Sequence, residues 1–94
     1  MEQPIATAKV RLNGTTDYGY ECKDEIYRFE LWESGAFHYG NATCVVLVRE
    51  RDGQKDTFDT RYDTTLHRDG SNFRTWALKA ARQYFNANLT IELL

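Results

Sequence analysis

The chain has 94 residues, which is the length of one small domain, and its 41% hydrophobic and 28% charged residues are typical of a folded protein. A net charge of -2 gives no general attraction to nucleic acid or to membrane surfaces, and no apolar run approaches the length of a membrane span. The first residues, MEQPIATAKV, lack a basic start followed by a long apolar stretch, so we expect no secretory signal and a cytoplasmic location.

The first predicted element is a strand over residues 5–12. Its apolar residues alternate with polar ones, which places Ala6, Ala8, Val10 and Leu12 on one side. The Asn13-Gly14 pair that follows predicts a hairpin turn, because both residues tolerate a positive φ.

The second segment, YGYECKDEIYRFELW, allows two interpretations. Tyr20 and Cys22 share one strand phase, whereas Tyr27 and Phe29 share the other, so a single strand requires a bulge or break near residues 23–25. The alternative for residues 24–34 is a short helix that Asp24 caps. The high content of Ile, Tyr, Phe and Trp favours the strand.

Two further strands are predicted after this segment. Residues 42–51 contain four consecutive apolar residues, Val45 to Val48, which is typical of an interior strand that is covered on both faces. Asp52-Gly53 predicts a second hairpin turn, and residues 54–64 alternate again. In that fourth strand Asp59, Arg61 and Asp63 would form one row of alternating charge.

The helix is the clearest prediction. Ser71 or Asn72 is expected to cap its start, and Asn86 or Asn88 to end it in a left-handed turn. Its apolar stripe follows helical spacing and consists of Phe73, Trp76, Ala77, Ala80, Ala81 and Tyr84. The tail LTIELL predicts a last strand. The fold class is therefore α+β: an antiparallel sheet of four to five strands with one helix on one face, in the order β-β-β-β-α-β, within a single domain over residues 1–94.

The segment FDTRYDTTLHRDG has the composition of a catalytic cluster, but we interpret it as structural. A strand would spread its acids along one row instead of gathering them, and His67 falls in a loop before the helix. Cys44 with His38 or His67 is the one nucleophile pair that the residue types allow, and Cys44 begins an apolar strand, which indicates a buried and inert thiol. We therefore expect no enzyme, no catalytic residues, no metal and no cofactor.

The two cysteines are expected to be reduced and half-buried. Cys22 and Cys44 cannot supply four zinc ligands by themselves, and neither lies in a C-x-x-C spacing.

Two aromatic loops are the first candidates for binding. Tyr18 and Tyr20 flank a glycine, and Phe37 and Tyr39 lie between two other glycines. Tyrosine offers a large contact area with few torsions to freeze, which is the composition of a recognition surface; the alternative is that these rings cover the edge of a small core. Trp32 joins this set because a strand over residues 26–32 would turn it away from the helix, which favours a partner or a homodimer.

The helix supplies a second candidate surface. Arg74 and Arg82 lie eight residues apart with Lys79 between them, so the outer face of the helix is basic and suits phosphates or an acidic partner.

The leading functional hypothesis is a non-enzymatic protein-binding module. Small, mildly acidic, single-domain proteins without catalytic motifs are often accessory or inhibitor proteins, including the viral proteins with which phages antagonise host defences by occluding or assembling a partner. We expect a protein partner or a second copy of the chain, and no membrane. The alternatives are a nucleic-acid-binding domain that uses the basic helix face and a structural subunit of a larger assembly.

Overall fold

A computed structural model describes residues 3–33, 44–60, 63–85 and 88–94. The predicted order β-β-β-β-α-β is confirmed; the elements are β1 (Ala6–Thr15), β2 (Glu21–Trp32), β3 (Cys44–Arg49), β4 (Lys55–Phe58), α1 (Phe73–Tyr84) and β5 (Thr90–Leu93). The strands form one antiparallel sheet in the order β4-β3-β2-β1-β5. The residues from Glu21 to Trp32 are a strand, so the helical alternative for this segment is wrong.

A β-bulge interrupts the pairing between the two long strands β1 and β2. Leu12 pairs with Glu25, whereas Gly14 pairs with Cys22, so β2 has one more residue than β1 in this interval. Asp24 takes a left-handed φ of 50°, and its backbone N–H donates to Asn13 Oδ1 at 2.8 Å. The bulge reverses the strand phase, which allows Cys22 and the later core residues of β2 to face the same side.

The predicted hairpin turn at Asn13-Gly14 is wrong. Both residues lie inside β1, which continues to Thr15, and the turn follows at residues 16–20. Asn13 supplies the acceptor for the bulge instead. Gly14 has a φ of 126°, and a Cβ there would approach the backbone oxygen of Asn88 to 3.1 Å. The glycine therefore allows close packing of the chain that leads into β5.

The helix covers one face of the sheet, and its predicted apolar stripe forms the core. Ala77 and Ala81 are fully buried, and because they are small the helix lies close to β1 and β5. Phe73 stacks on Trp76 at 5.8 Å between ring centroids, and Trp76 meets Phe29 of β2 edge to face at 6.4 Å. In the described part of the chain no helix is long and apolar enough to cross a membrane.

The ends of the helix differ from the prediction. Asn72 is the N-cap residue, but its side chain makes no capping hydrogen bond. At the other end Phe85 is the C-cap in an extended conformation, with φ -92° and ψ 160°, and its N–H donates to the backbone oxygen of Ala81. The helix ends at Tyr84 with Phe85 as its cap, so Asn88 is not the predicted helix end, and Asn86 lies outside the described residues.

The fourth strand is shorter than predicted. It ends at Phe58, so the prediction that Asp59, Arg61 and Asp63 form one row on this strand is wrong. Asp63 lies in the connection to the helix, where it bonds to Trp76, and Arg61 lies outside the described residues.

The opposite face of the sheet carries a second, smaller apolar cluster. Cys44, Val46 and Val48 of β3 are at most 3% exposed, and Trp32 of β2 packs against them. β3 is therefore buried on both faces, as its unbroken apolar run predicts.

Charged side chains form a connected network on this second face. Glu50 Oε1 lies 3.0 Å from Lys9 Nζ and 3.0 Å from Arg28 Nη1. Arg28 Nε also pairs with Glu30 at 2.8 Å, and Glu30 accepts the indole N–H of Trp32 at 3.1 Å. Because Arg28 and Glu30 lie opposite Val48 and Val46, their aliphatic stems flank the apolar cluster.

Gly53 and Gly70 both have left-handed backbones but differ in how closely other atoms pack against them. We expect Gly53→Ala to lower the free energy of unfolding by about 1 kcal/mol, because its φ is 74° but no atom lies within 4 Å of the added Cβ. Gly70→Ala should lower the free energy of unfolding by about 1–3 kcal/mol more than Gly53→Ala does, because its Cβ would lie 2.8 Å from the Cβ of Ala6. Urea unfolding of both variants measures the difference; equal losses would show that the contact with Ala6 relaxes freely.

Candidate functional site

Three connections meet at one end of the sheet. β1 and β3 both run toward this end, which places there the turn at residues 16–20 and the turn at residues 50–54. The helix also runs toward it, so its last residue, Tyr84, lies beside these turns. We call this surface the tyrosine end and define it by Tyr18, Tyr20, Arg51 and Tyr84.

The turn that carries Tyr18 is held by its own hydrogen bonds. The N–H of Thr16 donates to the backbone oxygen of Tyr20 at 2.8 Å, and the N–H of Gly19 donates to the backbone oxygen of Thr16 at 3.0 Å. The hydroxyl of Thr16 accepts the N–H of Tyr20 at 3.0 Å. The side chain of Tyr18, 98% exposed, projects from this closed turn into solvent.

Arg51 connects Tyr20 to the body of the sheet. Its Nη1 donates to the Tyr20 hydroxyl at 2.5 Å, and its Cζ lies 5.8 Å from the centroid of the Tyr20 ring. Its Nε lies 3.4 Å from Oε1 of the buried Glu25, which is within ion-pair distance although the geometry is not that of a hydrogen bond. Arg51 therefore compensates a buried carboxylate and orients a half-exposed tyrosine. The hydrogen bond to the Tyr20 oxygen and, after it, the charge of Glu25 raise the pKa of its guanidinium.

The turn that holds Arg51 is stabilised by charged hydrogen bonds. Arg49 pairs with Asp52 through Nε at 2.9 Å and through Nη2 at 2.5 Å, and it also bonds to Gln54. The hydrogen bonds that Asp52 accepts from the Arg49 side chain and from the backbone N–H of Gln54 lower the pKa of Asp52 to about 2. The predicted turn at Asp52-Gly53 is confirmed, because Gly53 has a φ of 74° and donates its N–H to the backbone oxygen of Arg49 at 2.7 Å.

Tyr84 links the helix to the edge strand β4. Its hydroxyl donates to Asp56 Oδ2 at 2.6 Å, and this bond, together with burial, raises the pKa of Tyr84 to about 12. Its ring meets Phe58 and Phe85 edge to face, with centroids 5.3 and 4.9 Å away. About half of the residue remains exposed.

Three surface clefts share Tyr84 as a wall. The first, of about 300 Å³, lies beside Arg49 and Lys55, and the second, of about 270 Å³, lies beside Phe58 and Trp76. The third, of about 380 Å³, opens between the Tyr18 turn and the end of the helix; its described lining residues are Thr16, Asp17, Tyr18, Gln83, Tyr84, Phe85 and Leu89.

The structure brings together part of the predicted aromatic set. Tyr18 and Tyr20 lie at the tyrosine end. Trp32 lies at the opposite end and on the opposite face, half-buried against β3, so its role as a partner contact stays a prediction for a separate surface. Phe37 and Tyr39 lie outside the described residues.

Sequence reasoning did not predict Tyr84 and Arg51 as parts of this surface. Tyr84 follows the apolar helical spacing and was assigned to the core, and Arg51 belongs to a turn remote from Tyr20 in the chain. The signal for Tyr84 was its position in the last turn of the helix, where the apolar stripe runs past the sheet.

The predicted basic face of the helix is present. Arg74, Lys79 and Arg82 are all exposed, and within the described residues none of them forms an ion pair. They lie on the side of α1 that points away from the sheet, and none of them is among the described residues that line the three clefts beside Tyr84.

The acidic part of the segment from Phe58 to Gly70 organises the backbone. Asp63 accepts the N–H and the hydroxyl of Thr65 at 2.8 and 2.5 Å and the indole N–H of Trp76 at 2.9 Å. Arg68 donates to the backbone oxygens of Thr60 and Asp63 at 2.7 and 3.0 Å. Each of these groups fixes the connection between β4 and the helix.

The histidine of this segment is part of the same local structure. His67 Nδ1 lies 2.9 Å from the Ser71 hydroxyl, and the His67 N–H donates to Asn72 Oδ1 at 3.0 Å. Asn72 in turn donates to the backbone oxygen of Thr65, which explains why its side chain does not cap the helix. Among the residues that the structure describes, no three His, Cys, Asp or Glu side chains are grouped as metal ligands.

Both cysteines are buried and free. Burial raises the pKa of the Cys44 thiol, and burial with the nearby Glu25 carboxylate raises that of Cys22. A raised pKa lowers the fraction of reactive thiolate at neutral pH.

The chain matches no family model, no curated protein and no solved structure. A functional conclusion therefore rests on the geometry and chemistry of the surfaces described above.

Asp63 supplies a test of the structural interpretation of the acid–histidine segment. At pH 7 we expect Asp63→Asn to lower the free energy of unfolding by about 1–3 kcal/mol, because it weakens hydrogen bonds to a charged acceptor. The hydrogen bonds from Thr65 and Trp76 hold the pKa of Asp63 below its ordinary 3.8, so this stabilisation is present above that pH and is lost as the pH falls through the lower folded-state pKa.

Urea unfolding followed by tryptophan fluorescence from pH 7 to pH 2.5 measures both effects. The wild type should lose stability below pH 4 more steeply than Asp63→Asn. Asp17→Asn removes an exposed acid that bonds to no described side chain, and it should match the wild type throughout. An unchanged stability of Asp63→Asn at pH 7 would contradict the assignment.

Proposed function

We propose that the protein is a non-enzymatic protein-binding module whose contact surface is the tyrosine end. The observation that carries this proposal is the exposure of three tyrosines on one surface: Tyr18 is 98%, Tyr20 46% and Tyr84 47% exposed. In the described residues they account for three of the four large hydrophobic side chains that are exposed, and the fourth, Leu94, lies beside Lys9 of β1, away from the turn at residues 16–20.

The residue types support a protein partner. Tyrosine and arginine are enriched among the residues that dominate interface energies, and this surface combines three tyrosines with Arg51. The turn bonds of Thr16, the contact of Arg51 with Tyr20 and the bond of Tyr84 to Asp56 restrain the residues that carry these rings before any partner arrives. A restrained surface loses less conformational entropy when it binds, which favours affinity.

The mode of action that fits such a surface is occlusion or assembly of a partner. A 94-residue domain that offers aromatic contacts acts by covering another protein's surface or by joining it to a third. We retain the hypothesis of a small accessory or inhibitor protein of the phage type, acting in the cytoplasm as a host-defence antagonist, and a second copy of the chain as the alternative partner.

Nucleic acid binding by the helix is the second candidate function. Arg74, Lys79 and Arg82 are exposed and unpaired within the described part of the chain, and unpaired cations release counterions from a phosphate backbone when they bind. Three cations provide a small patch, and for this reason the tyrosine end carries the first proposal.

The first proposal is tested by partner capture with matched variants. We expect Tyr18→Ala to weaken binding of a captured protein by about 2 kcal/mol, or about 30-fold, because it removes a ring from the contact surface. The melting temperature should not change, because the ring is almost fully exposed. Leu94→Ala, which shortens an exposed apolar side chain elsewhere, is the control and should bind as the wild type does.

Capture from nuclease-treated lysate followed by titration of the isolated partner provides the measurement. Size-exclusion chromatography at two concentrations tests the second copy as the partner. Equal binding by Tyr18→Ala and the wild type would remove the tyrosine end as the contact surface.

The second candidate predicts a different pattern. Wild-type protein should bind labelled duplex or single-stranded nucleic acid at low salt, and the triple variant Arg74→Gln, Lys79→Gln, Arg82→Gln should lose that binding. Affinity should fall as a power of the salt concentration with an exponent of about 2–3, because each neutralised phosphate releases counterions. Fluorescence anisotropy measures it, and absence of binding at micromolar protein would reject this function.

A further inference from the structure

The third cleft at the tyrosine end has the dimensions of a site for one side chain. It measures about 380 Å³, near the lower end of the ~300–1,000 Å³ typical of ligand pockets. Its apolar lining comes from Phe85 and Leu89, and its outer walls come from Tyr18 and Tyr84. Tyr18 makes no ring contact with a described residue, so its ring is available to close over an occupant.

Three features of this cleft attract a positive charge. The faces of tyrosine rings carry a negative potential that binds ammonium and guanidinium groups. Asp17, also in the lining, adds a full negative charge. The cleft lies beside the C-terminal end of α1, where the helix dipole is negative.

The basic residues nearest in sequence to this cleft do not line it: Arg82 lies in the last turn of α1 beside Gln83 but is not among the described lining residues. No lysine or arginine is among the described residues that line the third cleft, whereas Arg49 and Lys55 line the first. Arg51, the basic residue of the tyrosine end, is engaged with Tyr20 and Glu25. The cleft therefore combines aromatic walls and a carboxylate with no described cation of its own.

We propose that this cleft receives an arginine or lysine side chain of the partner protein. The aliphatic stem packs on Phe85 and Leu89, the charged group lies between the rings of Tyr18 and Tyr84, and Asp17 accepts its hydrogen bonds. The inference rests on the proposed function, because it assigns the chemistry of the residue that a partner presents to the tyrosine end.

A small-molecule titration tests the cleft without the partner. N-acetyl-arginine methylamide is added to the full chain while the aromatic signals of Tyr18 and Tyr84 are followed by NMR, at constant ionic strength. We expect saturable shifts with a dissociation constant in the millimolar range. The neutral isostere N-acetyl-citrulline methylamide should produce no saturable shift, because it has the same length without the charge.

Variants identify the groups that bind the cation. Tyr18→Leu keeps an apolar side chain but removes the ring face, and it should weaken binding about 2- to 5-fold, the range that exposed cation–π contacts give. Asp17→Asn should weaken binding by a similar factor. Glu21→Gln removes an exposed acid of the same hairpin that is not in the cleft lining, and it should leave the affinity unchanged.

Two results of the amide titration would overturn the inference: equal binding of the citrulline and arginine amides, or equal weakening by Glu21→Gln and Asp17→Asn. A partner that is lost in Tyr18→Ala but is not displaced by arginine amide would also overturn it, while the protein-binding function would stand. Displacement by arginine amide and not by citrulline amide would support both. Absence of any Tyr18-dependent partner would remove the function, and the amide titration would still decide whether the cleft selects a cation.

Discussion

The β-bulge between β1 and β2 is the feature on which the arrangement of this domain depends. The side of the sheet to which a strand residue points reverses at each step, so one added residue exchanges the two faces. Asp24 is that residue, held in a left-handed conformation while its N–H bonds to Asn13. Beyond the bulge Cys22 faces the helix together with Phe29, and the hairpin continues until it reaches the Tyr18 turn.

The two faces of the sheet are stabilised by different interactions. On the helix side, small alanines and large rings interlock, and burial of apolar area is the main contribution. On the other side a few valines are flanked by the paired side chains of Arg28 and Glu30, and the ion pairs continue to Glu50 and Lys9. The rings of the tyrosine end lie at the edge of the helix side, which explains why Tyr84 belongs partly to the core and partly to the surface.

The candidate site is assembled from parts of the chain that are far apart. Tyr18 and Tyr20 were visible from the sequence because a glycine between tyrosines indicates a turn that exposes rings. Arg51 was not, because its contact with Tyr20 depends on the register in which β2 pairs with β3, and register follows from the packed core and the turn geometry. Tyr84 was assigned to the core because helical spacing identifies a face but does not show where that face extends beyond the sheet.

The sequence alone determined the order of the elements and the helix over residues 73–84, because the periodicity of apolar residues reports directly on helix and strand faces. For residues 21–32 it favoured a strand but left a helix open, and the paired structure decided for the strand. The sequence also indicated an irregularity near Asp24, because one strand phase gave way to the other. The tertiary structure decided where β1 turns, where β4 ends and which side chains share a surface. Asn13 and Asp63 show the reason: Asn13 accepts the N–H of Asp24, and Asp63, besides its local bonds from Thr65, accepts the indole N–H of Trp76. Such contacts exist only after the core has formed, and local propensity does not encode them.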